Sequence, residues 1–200
     1  AYDEDSAEVR VGKVPSSADP MDAIMAGVSE LGIDLATCKF FAHGTTVATN
    51  ALITRSFPRA AMVTTRGFRD ILEMRRGNRE DIWDTFADVV PPYIRRRDRI
   101  EINERVNHAG EILISVAEDE ARDIAKTLRA REIKVVAVCF MNSHANAANE
   151  KRMLEILVEE LPDTHLICSS DVLHEIFEHE RFSTTVVNAI LMPLVDAYID

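Results

Sequence analysis

Apolar residues recur at helical spacing early in the chain, at Met21, Ile24, Val28 and Leu31. They predict a helix from about Asp19 to Leu31 that Gly32 ends. Ahead of it, Glu8–Val14 alternates polar and apolar positions behind an acidic turn, the pattern of a short strand. Lys39–Ala42 reads as another short strand, which His43-Gly44-Thr45-Thr46 turns into a helix reaching about Arg55. Arg59–Thr65 is the next strand, with Arg66-Gly67 as its exit and Phe68–Met74 as a short helix. The stretch from Arg75 to Arg99 is the least regular. Beyond it, Ile100–Val106 and Glu111–Ser115 predict an antiparallel pair joined at Asn107-His108-Ala109-Gly110. Ala117–Glu132 sets Ala121, Ile124, Ala125 and Leu128 on one helical face, and Val135–Met141 is nearly all apolar, as a strand buried on both faces requires. A helix over Asn146–Leu161, a strand over His165–Ser169 and a long helix over Glu178–Ile199 complete the pattern.

Strands alternating with helices predict an α/β fold: a mixed sheet flanked by helices, with an inserted β-hairpin. No internal repeat, low-complexity tract or linker interrupts it. The opening strand lacks an initiator Met and a strand ahead of it, so the chain reads as a fragment. Its 200 residues, 46% of them apolar, suffice for a real core. Acidic residues number 34 and basic ones 23, a net charge of −11, which disfavours a nucleic-acid groove because such grooves need a positive field. No apolar run of about 18 residues and no leader segment stands out, so the expectation is a cytoplasmic protein without a membrane partner. Cys38, Cys139 and Cys168 form neither a disulfide framework nor a CxxC pair; each lies in or beside an apolar stretch and is expected as a buried, reduced thiol.

Three segments carry candidate chemistry. His43–Ala51 places glycine and small hydroxyl residues at a strand-to-helix turn, where unpaired N–H groups and the helix dipole favour a phosphate or carboxylate. Ordinary N-capping by Thr45 or Thr46 explains the same residues without a ligand, and no Lys-Ser or Lys-Thr follows as a P-loop needs. Arg66, Arg69, Arg75, Arg76 and Arg79 cluster about the Gly67 and Gly77-Asn78 turns, suiting an acidic substrate or simple pairing with Asp70, Glu73, Glu80 and Asp81. His174 and His179 are five residues apart, which puts them on different helical faces and argues against a zinc site. No metal ligand and no catalytic base are assigned. Glu180-Arg181 followed by Ser183-Thr184-Thr185 reads as a polar helix start facing a cleft.

Taken together, the ordered motifs resemble the N-terminal region of the hydantoinase A and 5-oxoprolinase family, which includes ATP-dependent acetone and acetophenone carboxylase subunits. The motifs are His43–Leu52, Thr64–Leu72, Gly77-Asn78-Arg79, Glu104-Arg105-Val106, Val136–Phe140, and Ser169-Ser170 through to Glu180–Ala189. The resemblance implies a partial actin/hexokinase-like ATPase fold. It implies ATP with Mg2+, phosphorylation and opening of a small hydantoin-like cyclic amide, and a hydantoinase B-type partner subunit in an oligomeric enzyme. It assigns Gly44, Thr45, Thr46 and Asn50 to the phosphates, and Arg66, Asn78, Arg79, Glu180 and Arg181 to the substrate. An Asp-x-Gly-Gly-Thr turn that opens family members, and their C-terminal ATPase half, are missing from these 200 residues, so the isolated fragment is expected to be inactive. Two other readings remain: a ketone carboxylase subunit using a ketone and bicarbonate, and a non-catalytic assembly module.

Overall fold

Residues 1–17, 20–77, 83, 84, 86 and 90–199 are described by the structure, a computed structural model. Asn78, Arg79, Glu80 and Asp81 therefore lie outside the described residues. The chain divides into two units, Ala1–Thr45 and Thr46–Asp200.

In the first unit, helix α1 (Pro20–Glu30) follows a turn closed by one antiparallel bridge, Tyr2 to Val9. The strand expected over Glu8–Val14 is limited to that bridge. Lys39–Ala42 joins no ladder either, and Phe40 and Phe41 are exposed. Alternation suits a half-buried strand, but backbone groups also need a neighbouring strand to bond, and among the described residues neither segment forms a ladder. Gly32 ends the helical region at φ +62°, a conformation that costs glycine nothing. Cys38 corrects the expectation of a buried thiol: it is exposed at the end of the 3-10 turn Leu35–Thr37, its Sγ 3.6 Å from the Asp34 carbonyl.

The second unit begins with α2 (Val47–Thr54), β1 (Ala60–Thr65) and α3 (Ile71–Met74). It continues through β2 (Arg99–Ile102), β3 (Arg105–Val106), β4 (Ile112–Ile114), α4 (Glu118–Ala130) and β5 (Val135–Cys139). Helix α5 (Ala148–Glu160), strand β6 (His165–Cys168), and helices α6 (Ser169–Val172) and α7 (Glu178–Ile199) complete it. The main sheet has the order β2-β1-β5-β6, and every pairing in it is parallel. Thus the α/β class holds, while in the second unit the described antiparallel pairing is that of the separate β3–β4 hairpin, and the main sheet is parallel and not mixed. The segment Ile100–Val106 accounts for the difference. Its first half enters the sheet beside β1, then Glu104 N–H bonds the Ile102 carbonyl at 3.1 Å and turns the chain into the hairpin.

Period-two alternation on the central strands builds two cores. Ala61, Val63, Val136 and Val138 pack with Ala121, Ile124, Leu128, Met153 and Leu157 of α4 and α5. Met62, Val135, Ala137 and Cys139 pack with Phe182, Val186 and Ile190 of α7 and Leu72 of α3. The second unit is a three-layer sandwich, with α4 and α5 on one face and α7 on the other. Among the described residues, no helix is long and apolar enough to cross a membrane.

Candidate active-site crest

Strand β1 is followed in the chain by β2 on one side, whereas β5, on its other side, is followed by β6 further out. The order of the strands reverses between β1 and β5, and in open parallel sheets ligands bind outside the carboxyl ends of strands at such a point. Here those ends are Thr64–Gly67, Phe140–Ser143 and Ser169-Ser170, of which the first, the third and Phe140 of the second lie in the sequence motifs. Two buried polar networks hold them.

The first centres on Glu104, which is only 2% exposed. Thr65 Oγ1 donates to its Oε1, and Asn149 Nδ2 donates to its Oε2 at 2.8 Å. The same Thr65 oxygen accepts the Met141 N–H at 2.9 Å, so one hydroxyl joins the ends of β1 and β5. Burial pushes the Glu104 carboxyl above the ordinary range, against the bonds from Thr65 and Asn149.

The second centres on Glu150 and Arg181, both fully buried. Glu150 accepts the Phe140 N–H (2.7 Å), the Ser169 hydroxyl (2.6 Å) and the Ser170 N–H (2.9 Å). Arg181 donates to Ser169 Oγ at 3.2 Å, to the Phe140 carbonyl at 3.1 Å and to the Glu175 carbonyl, and lies 3.4 Å from His144 Nδ1. Burial, then the neighbouring Arg181 charge, lowers the His144 pKa. Arg181 therefore lies inside the wall expected to face substrate, its guanidinium committed to protein acceptors. Three side-chain amides tie the hairpin to the same region. Asn142 donates to Val106 O (2.8 Å), Asn146 to Gly110 O (2.8 Å) and Asn149 to Ile114 O (2.9 Å).

Arg66 reaches out from the β1 exit and pairs with Glu120 at 2.6 Å. Glu180 pairs with Arg76 at 2.6 Å, and Arg76 stacks on the Phe177 ring at 3.8 Å. Burial opposes ionisation of Glu180, but its own backbone N–H and Arg76 outweigh that and hold its carboxyl below the ordinary range. Arg69 faces Glu101 at 4.0 Å. The arginine cluster is thus largely paired, though with partners other than those expected. Asp70 instead takes a bidentate fork from Arg96, and Glu73 pairs with buried Arg99. Among the described residues, no group of three or more His, Cys, Asp or Glu side chains converges as a metal site.

At the other candidate segment, Thr46 is the residue before α2 and makes no side-chain capping bond. Its hydroxyl instead accepts from Asn50 Nδ2 at 3.3 Å. Helix α2 has no acidic residue in its first turn, and a Cβ on Gly44 would meet nothing within 4 Å. Intrachain packing therefore does not require a glycine there.

The profile of the hydantoinase/oxoprolinase N-terminal region matches residues 1–161. The chain belongs to the hydantoinase/oxoprolinase family. This family member is 34% identical over 202 residues to an uncharacterised protein of Methanocaldococcus jannaschii, covering 99% of the chain and 30% of that protein. It is 31% identical over 203 residues to caprolactamase subunit alpha of Pseudomonas jessenii, covering 96% and 29%. The crystal structure of the ATP-dependent caprolactamase from that organism superposes with a TM-score of 0.79 at 30% identity, over 90% of this chain and 27% of that one. Identity to the acetophenone carboxylase gamma subunit of Aromatoleum aromaticum is 28% over 191 residues, covering 86% and 26%. The chain spans under a third of the length of each of these relatives.

Glu150, Ser169 and the three asparagines were not singled out as site residues from the sequence. Glu150 is in helical register with Met153 and Leu157, both fully buried, and that register is the signal that it points inward.

Proposed function

We propose that this chain is part of the ATP-using subunit of an enzyme that opens a small cyclic amide, of the hydantoinase and 5-oxoprolinase type. The observation that carries this reading is the double likeness to ATP-dependent caprolactamase, 31% in sequence and 0.79 in TM-score. When bound, ATP supplies a phosphoryl group that turns a weakly electrophilic amide into a reactive one, with Mg2+ on its phosphates offsetting charge. Gly44, Thr45, Thr46 and Asn50 would face those phosphates. A Thr46 hydroxyl that is not used in capping and lies at the start of α2 supports that role. Arg66 and Glu180, with Asn78 and Arg79, would orient the substrate at the crest. Arg181 and Glu150 would keep the crest rigid beneath it, as positioning residues. A hydantoinase B-type subunit would complete the enzyme, a reading supported by relatives that are themselves named subunits.

The test is ATP turnover by the complete enzyme with its partner subunit, offered lactams, hydantoins, 5-oxoproline, and ketones with or without bicarbonate. Stimulation by cyclic amides without bicarbonate is expected, with loss in a Thr45→Ala, Thr46→Ala variant that still folds. The identity to a carboxylase subunit favours a second reading, ketone carboxylation. Turnover that requires both ketone and bicarbonate would establish it in place of the first. An intact enzyme that binds no nucleotide would leave the chain as an assembly module.

A further inference from the structure

On the α7 side of the sheet lies a cavity of about 300 Å³, lined by none of the residues assigned to the phosphates or the substrate under the proposed function. Its volume is at the lower end of small-molecule pockets. Leu72, Tyr93 and Val186 contribute to walls that are mostly apolar, while Arg55, Arg75, His179 and Ser183 supply the polar groups. Among the described residues, no carboxylate lines it.

The two arginines stand where the backbone favours glycine. Arg55 closes α2 at φ 53° and ψ 36°, and Arg75 closes α3 at φ 53° and ψ −133°. A residue with a Cβ is strained in the left-handed region, and the second of these conformations is strongly disfavoured for anything but glycine. Both strained helix ends thus contribute an arginine to the lining of one cavity. Arg55 grips the Pro91 and Pro92 carbonyls, at 2.5 and 3.3 Å, and lies 4.9 Å from the Tyr93 ring centre, which fixes that wall. Arg75 is half-buried, and among the described residues its side chain has no hydrogen-bond or ion-pair partner. Ser183 Oγ lies 3.5 Å from His179 Nδ1, a loose pair with capacity for another bond.

A mostly apolar chamber lined by two arginines and, among the described residues, by no carboxylate has the chemistry of a receptor for an amphiphilic anion. We propose that this cavity binds a small organic acid, its carboxylate held by Arg75 and Arg55 and its hydrocarbon body lying against Leu72 and Val186. The proposal is independent of the ATP-dependent reading, since it concerns binding by other residues.

The test is titration of the full chain with hexanoate, hexanamide and inorganic phosphate, followed by calorimetry and by methyl chemical shifts. Hexanoate should bind at least tenfold more tightly than either of the others and should shift the Leu72 and Val186 methyls. Arg75→Gly relieves the backbone strain while removing the guanidinium. It should keep or raise Tm and weaken hexanoate at least tenfold, and Arg75→Gln should weaken it similarly with the strain retained. Equal affinity for hexanoate and hexanamide would overturn the proposal, as would phosphate binding as tightly as hexanoate. So would undiminished hexanoate binding in either variant, or no saturable hexanoate binding at all.

Discussion

Replacing Arg181 with Met removes the only guanidinium in the buried network beneath the crest while keeping most of the side-chain volume. Arg181 is fully buried, and its donors serve Ser169 Oγ, Phe140 O and Glu175 O. After substitution the Glu150 carboxylate keeps its three donors from Phe140, Ser169 and Ser170, but loses the nearby cation that interacts with it. The buried Phe140 carbonyl and the half-buried Glu175 carbonyl also lose a charged donor. Removing one partner of a buried charge network costs about 3–5 kcal/mol, because the remaining charge stays out of water. With a urea m-value of about 2 kcal/mol/M, that lowers the unfolding midpoint by about 2 M. The assay is urea unfolding followed by circular dichroism, with Glu150→Gln and the double variant completing a cycle. The double variant should lose roughly 0.5–3 kcal/mol less than the sum of the singles, as coupled neighbours do. A loss below about 1 kcal/mol for Arg181→Met, with additive singles, would refute the bracing role.

Glu104 gives a pH-dependent prediction of the opposite sign to ordinary acid unfolding. Its pKa is raised above 4.5 in the folded state, so the stability linked to its proton is fully present below 4.5 and is lost as pH rises through the folded value. The stability of the native protein relative to Glu104→Gln should therefore grow as pH falls from 7 toward 4.5, read from urea midpoints across that range. At pH 7 the variant should still lose about 1–3 kcal/mol if its amide N–H2 faces Asn149, because a buried donor is then left unpaired. Leu128→Ala should cost about 2–5 kcal/mol in the same unfolding assay, since Leu128 of α4 is fully buried in the core that α4 and α5 form with the sheet. In a thiol-reagent titration of the native chain, one cysteine should react rapidly, Cys38, and two only on unfolding. Burial pushes the Cys139 and Cys168 thiols up and keeps them un-ionised.

Strongly periodic elements were legible from sequence because their information is local. The α4 stripe of Ala121, Ile124, Ala125 and Leu128 is buried as its spacing requires, and the apolar run at β5 became a strand buried on both faces. The strands expected near Val9 and Phe40 failed because a ladder partner is not a local property. The split of Ile100–Val106 depends on Glu104 meeting Thr65 and Asn149, which are 39 and 45 residues away in the chain. The same limit governs the site. Sequence located the β1 exit, the Glu180-Arg181 helix start and the α2 turn, yet Arg181 turned inward because Phe140 O and Ser169 Oγ await it across the fold. Arg76, distant in the chain, and not the adjacent Arg181, is the ion-pair partner of Glu180.

The hairpin's attachment has a consequence for which positions tolerate change. Asn142, Asn146 and Asn149 each grip a main-chain oxygen, at Val106, Gly110 and Ile114, and an oxygen of that kind is the same whatever side chain its residue carries. Sequence drift in the hairpin is therefore nearly invisible to its anchors. Gly110 is the exception: it adopts φ +83°, and an added Cβ would come within 3.2 Å of the Ala145 carbonyl. Substitution on the asparagine side is a different matter, since each loss unhooks one point of attachment. The two halves of one contact thus carry unequal mutational loads, with variation permitted on the strands and restricted on the helix-bound side.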